Sequence, residues 1–179
     1  IENMNGSIAA LGACLLLGGG ALAQTVQERP ALKDVFKDAF LVGTAVNNAI
    51  VSGKDPESRA LVLRHFASIT ADNAMKAGPI NPRPGEFNFG PADAFVAFGE
   101  AHGMFIVGHT LVWHNQTPPW FFQDESGKTN APAAQIERMR SHIETVAGRY
   151  KERVHAWDVV NEVIDNDGSY RPTSWVNAV

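Results

Sequence analysis

Short β-branched apolar runs alternate along this chain with longer segments of helical spacing, and that alternation limits the folds open to it more than any other feature. The runs at residues 41–46 (LVGTAV), 68–72, 104–114 (MFIVGHTLVWH) and 154–160 (VHAWDVV) read as strands. Asp55-Pro56-Glu57 opens a helix between the first two, with a capping carboxylate, a proline in the first turn and an acidic residue at the positive end. Residues 78–85 are rich in Pro and Gly and read as a loop. Pro91 then starts a helix in which Phe95 and Phe98 share a face and which stops at Gly103. In the last helix, residues 133–150, Ile136, Met139, Ile143, Val146 and Tyr150 recur at helical spacing and are expected in the core. Strands joined through helices require crossovers, and right-handed crossovers build a parallel sheet. Four such units fit half of a (β/α)8 TIM barrel or a small doubly wound sheet. Residues 175–179 read as the opening of a further helix, so the expectation is a barrel interrupted about halfway, since such barrels take about 250 residues.

A share of 45% hydrophobic and 19% charged residues places the chain among soluble globular domains. Its net charge of -4 supplies no basic footprint for nucleic acid or an anionic membrane. A neutral or weakly charged substrate fits better. Residues 8–23 are apolar, uncharged and too short to span a bilayer, and they end in Ala21-Leu22-Ala23. Residues 1–23 are therefore expected to be a signal peptide and 24–31 a connector, with the barrel domain over 32–179 and an exported location. Cys14, the single cysteine, opens a rival reading as the lipidated residue of a lipoprotein anchor. Three consecutive glycines, Gly18 to Gly20, weaken the plainer reading of a core helix.

In parallel β/α folds, catalytic groups gather at the carboxyl ends of strands. Those ends are Asn73 and Lys76, then His109 to Gln116, then Asn161 and Glu162. Together they offer a carboxyl, amides, an ammonium, an imidazole and an indole, which suits a sugar: hydroxyls need donors and acceptors, and the ring's C–H face needs an aromatic surface. Glu162 ends an apolar strand, where partial desolvation favours the protonated carboxyl that general-acid work requires. His109 and Trp113, an even number apart, share a strand face. His109 and His114, an odd number apart, should point to opposite faces, which argues against a shared metal ion. No cofactor is implied.

The motifs Gly108-His109-Thr110-Leu111-Val112-Trp113-His114 with Gln116, and Trp157-Asp158-Val159-Val160-Asn161-Glu162, closely resemble glycoside hydrolase family 10. Asp72-Asn73-Ala74-Met75-Lys76 and Phe87-Asn88-Phe89 add to the match, which runs from about Leu32 to Val179. The resemblance implies a full eight-stranded barrel and a retaining endo-1,4-β-xylanase acting on xylan. It implies Glu162 as general acid/base and Asn161 on the 2-hydroxyl of the sugar being cleaved. It further implies that His109 and Trp113 shape that subsite, and that Asn73, Lys76 and Gln116 hold hydroxyls of this sugar and the next. Asp72 stands where the family commonly has Glu, which shortens its reach to the distal sugar. Pro119 replaces an Asp often found before Trp120. The nucleophile is implied on a later strand beyond Val179, so this chain would be inactive alone, and His109–Thr110 is implied as a cis peptide. The competing readings are a non-catalytic β-glycan-binding protein and a barrel glycosidase acting on another β-linked glucan.

Overall fold

The computed structural model describes residues 29–178. The expected signal segment and Cys14 lie outside them. The elements in chain order are helix α1 (Leu32–Val35), strand β1 (Gly43–Val46), α2 (Asn48–Ser52), α3 (Pro56–His65), β2 (Ser68–Ala71), α4 (Ala77–Ile80), α5 (Gly90–Ala101), β3 (Phe105–Val112), α6 (Pro132–Arg149) and β4 (Ala156–Val160), with 3-10 turns at Pro119–Phe121 and Val176–Ala178.

All strand pairs are parallel and the sheet order is β1-β2-β3-β4. A doubly wound sheet reverses its strand order at a switch point, whereas neighbours that follow chain order throughout form a sector of a β/α barrel. The chain therefore takes the barrel alternative. The sequence cues at α3 hold in detail: Asp55 accepts from the Ser58 backbone N–H at 3.0 Å, and Pro56 occupies the first helical position. Three short helices, α1, α2 and α4, escaped the apolar pattern. Asn47 caps α2 by accepting from Ala49 and Ile50, and Gly53 ends it in the left-handed conformation. The expected loop at 78–85 begins as the last residues of α4.

The core lies between β2, β3 and the helices packed on them. Ile69, Met75, Ile80, Val96, Ile106, Val146 and Tyr150 are fully buried, as is Phe95, with Phe98 buried beside it on one face of α5. The expectation for α6 needs correction: Ile136 is 38% exposed, while Gln135, His142 and Val146 are buried. Helical periodicity gives the width of an apolar stripe, but neighbouring elements select which edge of it is covered. Here the covered edge includes His142, whose ring meets Phe121 edge-on at 5.5 Å.

The strands are shorter than expected, and β4 is open. Val159 and Val160 are each 52% exposed, because β4 pairs with β3 alone among the described residues. The sheet register shifts between His109 and Val112, and the His109–Thr110 peptide is cis, as the resemblance implies.

Candidate active site

The sheet delivers the polar groups to one end, and their geometry follows from the strands that carry them. Beyond β2, Asp72 is tied through its backbone N–H to Val46 of β1. Asn73 donates to Asp72 Oδ2 at 2.9 Å, and its own Oδ1 accepts from Lys76 Nζ at 3.0 Å and from Gln116 Nε2 at 3.2 Å. Lys76 is only 8% exposed. A buried ammonium needs compensation, which the Asn73 oxygen provides together with the face of Trp113, 4.8 Å from Nζ.

His109 stands opposite Asp158 in the β3–β4 register, and its Nδ1 lies 2.9 Å from Asp158 Oδ2. Thr110 Oγ1 donates to the Asp158 backbone carbonyl at 2.8 Å, so consecutive residues of β3 grip one residue of β4. Past the strand ends, Trp113 Nε1 donates to Glu162 Oε2 at 3.1 Å, and His114 Nε2 lies 3.9 Å from the same oxygen. Asn161 is anchored by its backbone N–H on the Val112 carbonyl and lines a small cavity with Trp113, His114, Glu162 and Trp175.

Two glycines make these approaches possible. A Cβ on Gly108 would meet the Trp157 ring at 2.3 Å, so only glycine lets that indole lie across β3. At Gly78 it would meet the Gln116 carbonyl at 2.8 Å, the same oxygen that accepts from the Gly78 N–H at 2.6 Å. Gln116 and Glu162 themselves have φ of 50° and 54°. Left-handed backbone costs a non-glycine residue about 1–2 kcal/mol. Both residues are held there by their surroundings.

The structure thus places Asp72, Asn73, Lys76, His109, Trp113, Gln116, Asn161 and Glu162 at the carboxyl ends of β2, β3 and β4. Two readings change. His114 does not point away from the site: β3 ends at Val112, so strand alternation no longer applies beyond it, and His114 sits against Trp113 and Glu162. The Glu162 side chain is 48% exposed rather than desolvated, because the open side of β4 leaves it uncovered. Sequence reasoning also passed over Asp158 as a working residue, although a carboxylate inside an apolar run was a usable signal. Among the described residues, no three His, Cys, Asp or Glu side chains come together as a metal ion would require.

A carboxyl fixed through one oxygen by an indole N–H can give and take a proton at a defined point. The surrounding amides, ammonium and aromatic face can hold a polyhydroxylated ring beside it.

The profile described as "Glycosyl hydrolase family 10" matches residues 31–179. Endo-1,4-beta-xylanase A of Thermotoga maritima is 47% identical over 155 residues, covering 82% of this chain and 14% of the relative. Endo-1,4-beta-xylanase B of Paenibacillus barcinonensis is 41% identical over 151 residues, covering 83% of this chain and 44% of the relative. Among solved structures, a GH10 endoxylanase retrieved from a sugarcane soil metagenome superposes with a TM-score of 0.78 at 47% identity, over 82% of this chain and 43% of its own. The chain spans less than half the length of these proteins. With a family match over nearly all the described residues and relatives at this identity, the chain belongs to glycosyl hydrolase family 10.

Proposed function

We propose that the protein is a retaining endo-1,4-β-xylanase that hydrolyses internal bonds of xylan, and that this chain carries its general acid/base, Glu162. The observation that supports this best is the Trp113–Glu162 hydrogen bond of 3.1 Å, which links the carboxyl through the Trp113 indole to the Lys76–Asn73–Gln116 cluster. In the first step protonated Glu162 gives its proton to the glycosidic oxygen while a second carboxylate attacks the anomeric carbon. The bond to the leaving sugar breaks and a glycosyl ester forms. In the second step ionised Glu162 takes a proton from water, whose oxygen attacks the same carbon and releases the second carboxylate. Retention needs the two carboxyls about 5–5.5 Å apart. Asp165 and Asp167 belong to a turn that follows Glu162 directly, with Asp165 bonded to the backbone of Ser169 and Asp167 to the Ser169 side chain. As the family resemblance implies, the nucleophile belongs to a later strand of the full-length protein, and on this reading the present chain alone should release no sugar from xylan.

Glu162→Gln in the full-length protein tests the assignment. It should slow xylan hydrolysis by about 10²–10⁴-fold. Aryl xylosides with an acidic phenol need little protonation, so they should still form the glycosyl ester, which accumulates. Azide should then restore turnover, because it attacks without a base. Wild-type rates on both substrates, or no response to azide, would remove Glu162 from this role.

Export is part of the same proposal and rests on the apolar segment at residues 8–23. The mass of the mature N-terminus decides it: a start at Gln24 supports cleavage after Ala23, a lipidated Cys14 supports a membrane anchor, and an intact segment refutes both.

A further inference from the structure

The residues whose side chains meet in the Trp113–Glu162 hydrogen bond are each held a second time, through their backbone carbonyls, by side chains from one following segment. Arg171 Nε donates to the Glu162 carbonyl at 3.1 Å, and Trp175 Nε1 donates at 2.9 Å to the Trp113 carbonyl, which also accepts from Thr117 Oγ1 at 2.5 Å. Both bonds go to backbone carbonyls, and the Arg171 guanidinium pairs with Asp165 instead of the Glu162 carboxyl. Resting on the reading of Glu162 as acid/base, we propose that Arg171 and Trp175 are positioning residues, a two-point brace that fixes the carboxyl's aim from behind.

Three features of the segment favour this over simple packing. First, Glu162 needs such a hold: its φ of 54° is left-handed, so backbone preference does not secure it. Second, the segment is built to present Arg171 at that point. A hairpin closes through the Ile164–Tyr170 bridge, and the Arg171 N–H donates to the Val163 carbonyl at 2.9 Å. Arg171 Nη2 lies 3.5 Å from Asp165 Oδ1, which holds the guanidinium within the hairpin. Third, Trp175 is fixed independently of its hydrogen bond, by edge-on contacts with Phe121 at 5.7 Å and Phe122 at 4.5 Å. Its indole N–H therefore has a defined direction. The brace ties the residues just beyond β3 to those just beyond β4, past the Asn161 N–H to Val112 carbonyl bond and next to an irregular stretch of the sheet register.

A carboxyl that loses its aim fails where proton delivery limits the rate and is little missed where it does not. The test compares xylan with an aryl xyloside bearing an acidic phenol, measured in the same preparation of full-length protein. The ratio of the two rates is insensitive to the folded fraction, so partial misfolding of a variant does not obscure the result. Arg171→Lys keeps a cation for Asp165 but has no N–H at the Nε position. Trp175→Phe keeps the ring against Phe121 and Phe122 and removes only the donor. Each variant should lower kcat on xylan on the order of tenfold, leave KM on xylan nearly unchanged, and barely alter kcat/KM for phenol release from the activated substrate, which reports the first step alone. Glu162→Gln, run alongside, should give the same pattern more strongly. If both brace variants slow the two substrates equally, or slow neither, while Glu162→Gln retains its leaving-group dependence, the brace is refuted and the acid/base reading stands. If Glu162→Gln itself shows no such dependence, the acid/base reading fails and the brace loses its object.

Discussion

The interior strands β2 and β3 and the outer strand β4 carry opposite ends of one site on very different supports. Ile69 and Ile106 are wholly buried between the sheet and its helices, while Val159 and Val160 of β4 are half exposed. Lys76, delivered beyond β2, is accordingly buried and held by its surroundings, whereas Glu162, delivered beyond β4, is half exposed and held by individual hydrogen bonds. Among the described residues, packed neighbours fix Lys76, and direct bonds fix Glu162 on the uncovered side of β4. In a closed barrel the inward side chains of every strand fill a common interior. The open side of β4 is where such an interior would continue.

The largest effect should separate the two supports directly. Ile106→Ala removes buried methyl groups from the closed side and should cost about 2–5 kcal/mol, whether in this chain or in the full-length protein. Val160→Ala should change the stability of this chain by no more than about 0.5 kcal/mol. In the full-length protein it should cost markedly more if the barrel covers β4. Denaturant midpoints of both variants in both contexts measure this, and equal Val160→Ala effects in the two contexts would break the comparison.

A second effect belongs to the closed side alone. His142 is 2% exposed, neither ring nitrogen has a hydrogen-bond partner, and burial pushes its pKa from 6.5 down to about 4. Above about pH 6.5 the imidazole is neutral whether the chain is folded or not. As pH falls below that value the unfolded chain takes up a proton that the folded chain refuses until about pH 4, so stability drops across this window. The total loss is on the order of 3 kcal/mol. His142→Leu should flatten that part of the stability profile and be close to neutral at pH 8. A pH dependence unchanged in the variant would place its source elsewhere.

The smallest effect sharpens the same contrast at the surface. Arg153 forms a two-pronged pair with Glu100, with both bonds at 2.7 Å, joining the segment before β4 to α5. The Glu100 carboxyl is held below its ordinary range by this guanidinium. Both side chains are about 40% exposed, so water and salt screen the pair. Arg153→Ala should cost at most about 0.5 kcal/mol, and thermal melts in molar salt should erase the difference. A larger, salt-resistant loss would mean that ties between strand and helix, more than core packing, hold β4 in place.

The amino-acid sequence by itself determined the alternation of strands and helices, the cap and proline that open α3, and the buried face of α5. It also contained every residue placed at the strand ends. These are local matters: hydrophobic period, capping chemistry and turn residues act over a few positions and read the same in any context. What the sequence left undecided was everything that depends on neighbours distant along the chain. Periodicity admitted Ile136 to the core, but only packing against other elements chose the edge of α6 that includes His142. Strand parity sent His114 to the wrong side, because only tertiary structure ends β3 at Val112 and shifts its register against β4. The motif supplied Glu162, but the bonds from Trp113 and Arg171 that aim it cross separations of 49 and 9 residues. No local rule carries that information, since a side chain's direction at a strand end is set by whichever partners the fold brings within hydrogen-bonding reach.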